Sequence, residues 1–269
     1  MNKPDASPDP TSQPAGRRAR VLAVTSGKGG VGKTVVSANL AAALAARGER
    51  VLVLDADLGL ANLDVVLNLY PKTTLHDVFT DRATLDEAIV PAPGGFSVLL
   101  AGSGLVEYSR LTPELRARLE QTLSALAPRF DCILLDTGAG ISDVVLFSVS
   151  LADEVVLVVT PEPTAMTDAY ATIKVLAAQQ RRELVHLVVN QTTRLGEARG
   201  IRGQLQRVVD HYVNSPASRA VRLELVGDIP VDPAVRESVR LRQLLLEIFP
   251  GSNAAKALGA LAARIAPDR

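Results

Sequence analysis

The octapeptide Gly27-Lys28-Gly29-Gly30-Val31-Gly32-Lys33-Thr34 constrains this chain more than any other stretch. It fits G-x-x-x-x-G-K-[ST] and stands between a short apolar run at 21–24 and a helical pattern at 34–47 that Gly48 closes. Strand, glycine-rich loop, helix is the context in which this motif cradles phosphate. The glycines let backbone wrap closely around phosphate oxygens, while amide N–H groups and the helix N-terminus attract their negative charge. In that geometry Lys33 reaches the β- and γ-phosphates and the Thr34 hydroxyl ligates Mg²⁺. Such a unit commits the chain to a parallel sheet with its ligand at the carboxyl edge.

The remaining pattern agrees. Apolar runs at 51–54, 98–100, 133–135, 155–159, 184–189 and 223–226 alternate with helical stretches at 113–127, where Thr112 can cap, 165–180 and 196–212. Hydrophobic residues make up 47% but aromatics only 3%, with no Trp, so the core must be Ala, Val and Leu. That suits helices laid on both faces of a buried sheet. The expected fold is α/β, a doubly wound and mostly parallel sheet in three layers of the Rossmann-like P-loop type. Residues 1–19 read as a disordered tail, poor in anything that repays ordering entropy. Residues 20–269 read as one P-loop ATPase domain. The polar stretches that follow the strands, 26–34, 55–64, 136–142, 160–167, 190–193 and 228–232, are where chemistry should collect.

Several classes are excluded. The formal net charge is zero, which gives no strong, sequence-blind attraction to nucleic acid or anionic lipid. A single cysteine, Cys132, rules out an intramolecular disulfide or a cysteine-pair metal site within one chain. No apolar run approaches the ~20 residues of a membrane span, and residues 1–20 lack the apolar centre of a secretory signal. The expected compartment is the cytoplasm.

Carboxylates at strand ends are the candidate metal and water ligands. The run 51–54 enters Asp55-Ala56-Asp57, with Asn62 and Asp64 following; Asp64 reads as a helix cap or surface charge. The run 133–135 ends on Asp136, where a buried strand fixes a carboxylate near the metal. Asp136 is therefore a candidate Mg²⁺-shell residue, and the glycines after it allow a switch segment to approach the γ-phosphate.

Lys28-Gly-Gly-Val-Gly-Lys-Thr resembles the deviant Walker A of the MinD/ParA family of SIMIBI ATPases. The resemblance runs from Val21 to Ala266 and implies a dimer that sandwiches two ATP molecules with Mg²⁺ and hydrolyses them slowly. It implies that Lys28 crosses to the partner's nucleotide, that Asp57 positions the attacking water, and that Asp55 supports the Mg²⁺ shell. Val188-Val189-Asn190 resembles the strand end whose Asn reads the adenine edge, and Gly227-Asp228-Ile229-Pro230-Val231-Asp232 the loop that frames the base.

Asp55-Ala-Asp-Leu-Gly-Leu-Ala-Asn62 and Asp136-Thr-Gly-Ala-Gly-Ile-Ser142 look most like the flagellar-number regulators of the FlhG/FleN branch. Septum-placing MinD proteins usually carry a proline soon after the aspartate matching Asp136, where Thr137 and Gly138 stand here. That branch implies regulation of flagellar number or placement, with an FlhF-type GTPase or a FleQ-type transcriptional activator as partner and polar or peripheral membrane association as a possible location. The N-terminal glutamine-containing helix of some members has no match in residues 1–20. The final stretch, with Ala254, Leu258, Leu261 and Ile265 at helical spacing, reads as a packed helix with little membrane affinity. Two alternatives stay open: a ParA-type partition ATPase, for which the arginines at 194, 199, 202, 207, 219, 222, 236, 240 and 242 would have to meet DNA although acids are interspersed, and a MinD-type septum protein.

Overall fold

The computed structural model describes residues 18–59, 62–102, 110–214 and 220–266. Most of the tail expected over 1–19 lies outside them, as do Leu60, Ala61, Arg219 and the last three residues.

Apolar runs become strands wherever both of their faces can be covered. β1 (Arg20–Ser26), β2 (Val51–Ala56) and β6 (Glu154–Val159) are buried along almost their whole length, the pattern of strands sandwiched between helix layers. With β3 (Ile89–Pro91), β4 (Ser97–Leu99), β5 (Cys132–Ala139), β7 (Leu184–Thr192) and β8 (Arg222–Pro230) they form one eight-stranded sheet in the order β3-β4-β2-β5-β1-β6-β7-β8. Every neighbouring pair is parallel except β3–β4. β5 sits between β1 and β2, so the crossover helix α1 (Lys33–Ala45) passes over a strand that arrives much later in the chain. The carboxyl ends of β1, β2 and β5 thus surround the loop that starts α1.

Small side chains hold α1 close to the sheet. Val36, Ala38, Leu40, Ala41 and Leu44 are buried, and each alanine lets the helix backbone approach β1, β2 and β5. α5 (Pro113–Leu126) starts where Thr112 accepts a hydrogen bond from the Leu115 N–H at 3.2 Å, as its sequence predicts. α6 (Asp143–Ser150), α7 (Pro163–Gln180) and α8 (Glu197–Tyr212) return the chain between β5, β6, β7 and β8.

The final helix is part of the core. After α9 (Pro233–Leu241) and the short α10 (Leu245–Ile248), α11 (Asn253–Ile265) buries Ala254, Leu258, Leu261 and Ile265 against β8 and α1. Its terminal carbonyls, which no helical N–H can reach, are met by guanidinium groups: Arg20 donates to Ile265 O at 2.9 Å and Arg47 to Ala266 O at 3.0 Å. No helix among the described residues is long and apolar enough to cross a membrane.

Between β2 and β4 lie three short helices, α2 (Leu63–Leu67), α3 (Leu75–Phe79) and α4 (Leu85–Ala88). The cap expected at Asp64 is not found. Asn62 occupies the N-cap of α2, and Asp64 stands inside the first turn with one buried carboxylate oxygen that has no hydrogen-bond partner.

Candidate functional site

The phosphate loop joins β1 to α1. Gly30 and Gly32 have φ of +80° and +89°, left-handed values that an L side chain resists. Gly27 is needed for a different reason: a Cβ there would stand 2.3 Å from the carbonyl carbon and oxygen of Asp168, so the loop begins in backbone contact with α7. Around Gly29 and Gly30 there is open space instead. No side chain caps α1 at Gly32, which leaves its first-turn N–H groups for an anion.

Asp55 and Asp136 are register partners on the adjacent strands β2 and β5. Both are buried, within a few residues of the ends of their strands. Lys33 Nζ lies 3.2 Å from Asp136 Oδ1, and the same oxygen accepts the Ser37 hydroxyl at 2.9 Å. Asp55 Oδ1 accepts the backbone N–H of Asp57 at 3.1 Å, while its Oδ2 is buried without a partner. Burial, reinforced by the negative charge of Asp136, pushes the Asp55 carboxyl well above the usual carboxylate range. Asp57 faces β5: its Oδ1 is 3.3 Å from where a Cβ on Gly138 would stand, so a larger residue at 138 would crowd the carboxylate.

An orphaned buried oxygen on Asp55 and the buried carboxylate of Asp136 are hard-oxygen donors on adjacent strands, and Thr34 follows Lys33 in the first turn of α1. Such a set suits Mg²⁺, which takes one or two carboxylates and completes its shell with water and phosphate. The residues present therefore fit the metal and the triphosphate together.

Lys28 turns away from this cradle. Its ammonium donates to Glu162 Oε2 and to Thr164 Oγ1, both at 2.8 Å, where β6 passes into α7. The contact lies at the surface, where an ion pair is worth about 0–1 kcal/mol.

On the far side of α1 is a cavity of about 350 Å³ whose walls include Gly32, Val36, Asn190, Pro230, Asp232 and Val235. Its largely apolar lining with a few polar groups is what a small-ligand site requires. Asn190 Nδ2 donates to Val31 O of the phosphate loop at 2.8 Å, and Asn190 Oδ1 accepts the N–H of Gln191, a residue at φ +61°. A Cβ on Gly32 would lie 2.4 Å from Asn190 Nδ2, so glycine at 32 is what lets the two segments meet. Pro230 lines the cavity. Asp232 lines it too, but its carboxylate is committed elsewhere: it caps α9 through Ala234 N at 3.0 Å and reaches Ala254 N at the start of α11 at 3.1 Å.

The structure thus brings Lys33, Asp55, Asp57 and Asp136 together where β2 and β5 meet α1, and Asn190, Pro230 and Asp232 around the cavity beside Gly32, with Lys28 at the outer rim and Thr34 next to Lys33 along α1. Three participants carry no motif of their own. Ser37 is one serine in a Val/Ala-rich helix, while Glu162 and Thr164 fall in the polar stretch after β6, whose position was the only signal.

Residues 17–266 match the ParA family, described as the NUBPL iron-transfer P-loop NTPase. The chain is 43% identical over 246 residues to antiactivator FleN of Pseudomonas aeruginosa, covering 91% of this chain and 86% of that one. It is 34% identical over 240 residues to the flagellum site-determining protein YlxH of Helicobacter pylori, covering 86% and 76%. Among solved structures it resembles the septum site-determining protein MinD of Pyrococcus horikoshii complexed with Mg-ADP, with a TM-score of 0.72, 26% identity and coverage of 93% and 96%.

Proposed function

The chain belongs to the ParA/MinD family of P-loop NTPases, and from that premise we propose that it is an ATP-driven dimeric switch that regulates flagellar number or placement. It is an ATPase that uses ATP with Mg²⁺. The flagellar role follows the relatives, of which YlxH is named a flagellum site-determining protein and FleN an antiactivator.

The observation that carries the dimer is the position of Lys28. Its own loop supplies Lys33 and the α1 N-terminus for one triphosphate, so a second loop cation held at the rim is suited to a facing subunit. Exposed apolar side chains stand on the same carboxyl edge of the sheet: Val65, Ile141, Leu195 and Val231 follow β2, β5, β7 and β8. Exposed apolar side chains on the edge that carries a charged cleft suit an interface.

Within one subunit, the phosphate loop binds and orients the triphosphate, with Lys33 on its terminal oxygens. Thr34, Asp55 and Asp136 would hold Mg²⁺, which would supply positive charge against the phosphate oxygens. Asp57 orients water for attack on the γ-phosphorus, and burial by the facing subunit excludes bulk solvent. Asn190 offers an amide to the adenine edge, and Pro230 with the Asp232-pinned loop walls the base. Hydrolysis lets Lys28 return to Glu162 and the subunits part. A FleQ-type activator or an FlhF-type GTPase is the partner that would read the associated state.

A deletion strain scored for flagella per cell and for nucleoid segregation tests the biological role. Extra or misplaced flagella with normal segregation support it. Normal flagellation with missegregated nucleoids would instead favour a partition ATPase.

A further inference from the structure

The buried face of α1 carries a hydroxyl that the phosphate-loop motif does not include. Ser37 lies one turn beyond Lys33, on the same face of the helix, and is fully buried. Both side chains reach a single atom, Asp136 Oδ1: Ser37 Oγ at 2.9 Å and Lys33 Nζ at 3.2 Å. Asp136 is itself 2% exposed. A carboxylate this deeply buried is costly without a cation, and a nucleotide that draws Lys33 onto its phosphates removes the one it has.

We propose that Ser37 is a positioning residue that keeps Asp136 aimed and partly compensated while its cation is exchanged, Lys33 giving way to the nucleotide's divalent metal. The inference rests on the reading of Asp136 as a Mg²⁺-shell residue. The Ser37 hydroxyl is fixed by the buried helix and moves with neither the lysine nor the metal. With Lys33 in place, the carboxylate has two donors. With metal in place, it has the metal and Ser37. Only when nucleotide is bound without metal does Ser37 stand alone, so its contribution is greatest there. Nucleotide and Mg²⁺ consequently bind with positive coupling, since each metal-free nucleotide strands a buried charge.

The test is the affinity for ADP, measured by titration calorimetry in excess EDTA and in saturating MgCl₂, for the full chain and its variants. ADP keeps subunit association out of the readout. Ser37→Ala should weaken ADP binding about tenfold in EDTA, the scale of one hydrogen bond to a charged group, and less than about threefold in MgCl₂. An equal loss in both conditions would reduce Ser37 to a packing residue and overturn the proposal, as would no loss in either. Ser37→Cys, with a weaker donor of similar shape, should show the same ordering at smaller amplitude, which keeps the test decisive if the alanine variant does not fold. Asp136→Asn reports separately on the premise: it should tighten ADP binding in EDTA and shrink the effect of Mg²⁺. A full Mg²⁺ effect in that variant would remove Asp136 from the metal shell, whatever Ser37 does.

Discussion

Replacing Gly27 by alanine is the sharpest perturbation of the phosphate loop that the geometry allows. The added Cβ would stand 2.3 Å from the carbonyl carbon and oxygen of Asp168 and 2.7 Å from the Ala169 nitrogen, all of them backbone atoms of α7. No rotamer relieves that overlap. To restore van der Waals separation, the loop and α7 must part by about 1 Å. Overpacking of this kind costs about 1–3 kcal/mol, and at Gly27 it also moves Lys28 away from Glu162 and Thr164, which α7 carries. Gly29→Ala is the internal control, because a Cβ there meets nothing within 4 Å. Urea denaturation of the nucleotide-free protein should show Gly27→Ala less stable by about 1–3 kcal/mol, with Gly29→Ala within about 0.5 kcal/mol of the parent. Equal stabilities for the two variants would refute the claim that the loop is seated on the α7 backbone.

Other perturbations follow from single contacts. Glu162→Gln breaks the ion pair that keeps Lys28 on its own subunit. If that pair opposes association, the variant should dimerise with ATP at roughly threefold to tenfold lower protein concentration; weaker association would show that Glu162 serves the dimer instead. Asp232→Ala removes one carboxylate from two helix N-termini and should cost about 2 kcal/mol in thermal or urea unfolding. The hydrogen bond from His186 and the guanidinium of Arg20 outweigh burial and hold the Glu154 carboxyl down to about 2. Because its folded value is depressed, the stabilisation from this carboxylate is complete above its ordinary value of 4.5 and is lost as pH falls toward 2. Glu154→Gln should therefore flatten the acid limb of a stability–pH curve and leave its shape near neutrality unchanged.

Much of this architecture was legible in the chain because its strands are buried on both faces and announce themselves as unbroken apolar runs. β1, β2, β5 and β6 are of this kind, whereas β7 is interrupted by His186 and β8 alternates, with Arg222 and Glu224 exposed. β3 escaped notice: three residues ending in Pro91, paired antiparallel at the sheet edge, have neither the length nor the burial to leave a pattern. Strand order was not readable either, since nothing in residues 132–139 states that β5 will insert between β1 and β2. The phosphate loop and the strand-end aspartates were found because motif and position coincide. Ser37, Glu162 and Thr164 were not, because their roles depend on which side chains the sheet brings opposite them. Asp64 misled for the opposite reason. An Asp near a helix start is the usual sign of a cap, yet α2 begins early enough to leave it in the first turn.

The central claim is that two copies of this chain close over two triphosphates, each lending Lys28 to the other. Sedimentation of Asp57→Ala, which should bind Mg-ATP without turning it over, measures this most directly. The account predicts subunits of 28.4 kDa without nucleotide, a species of twice that mass with saturating Mg-ATP, and loss of that species when Lys28→Ala is added. Single subunits at saturating Mg-ATP, or a dimer indifferent to Lys28, would contradict it.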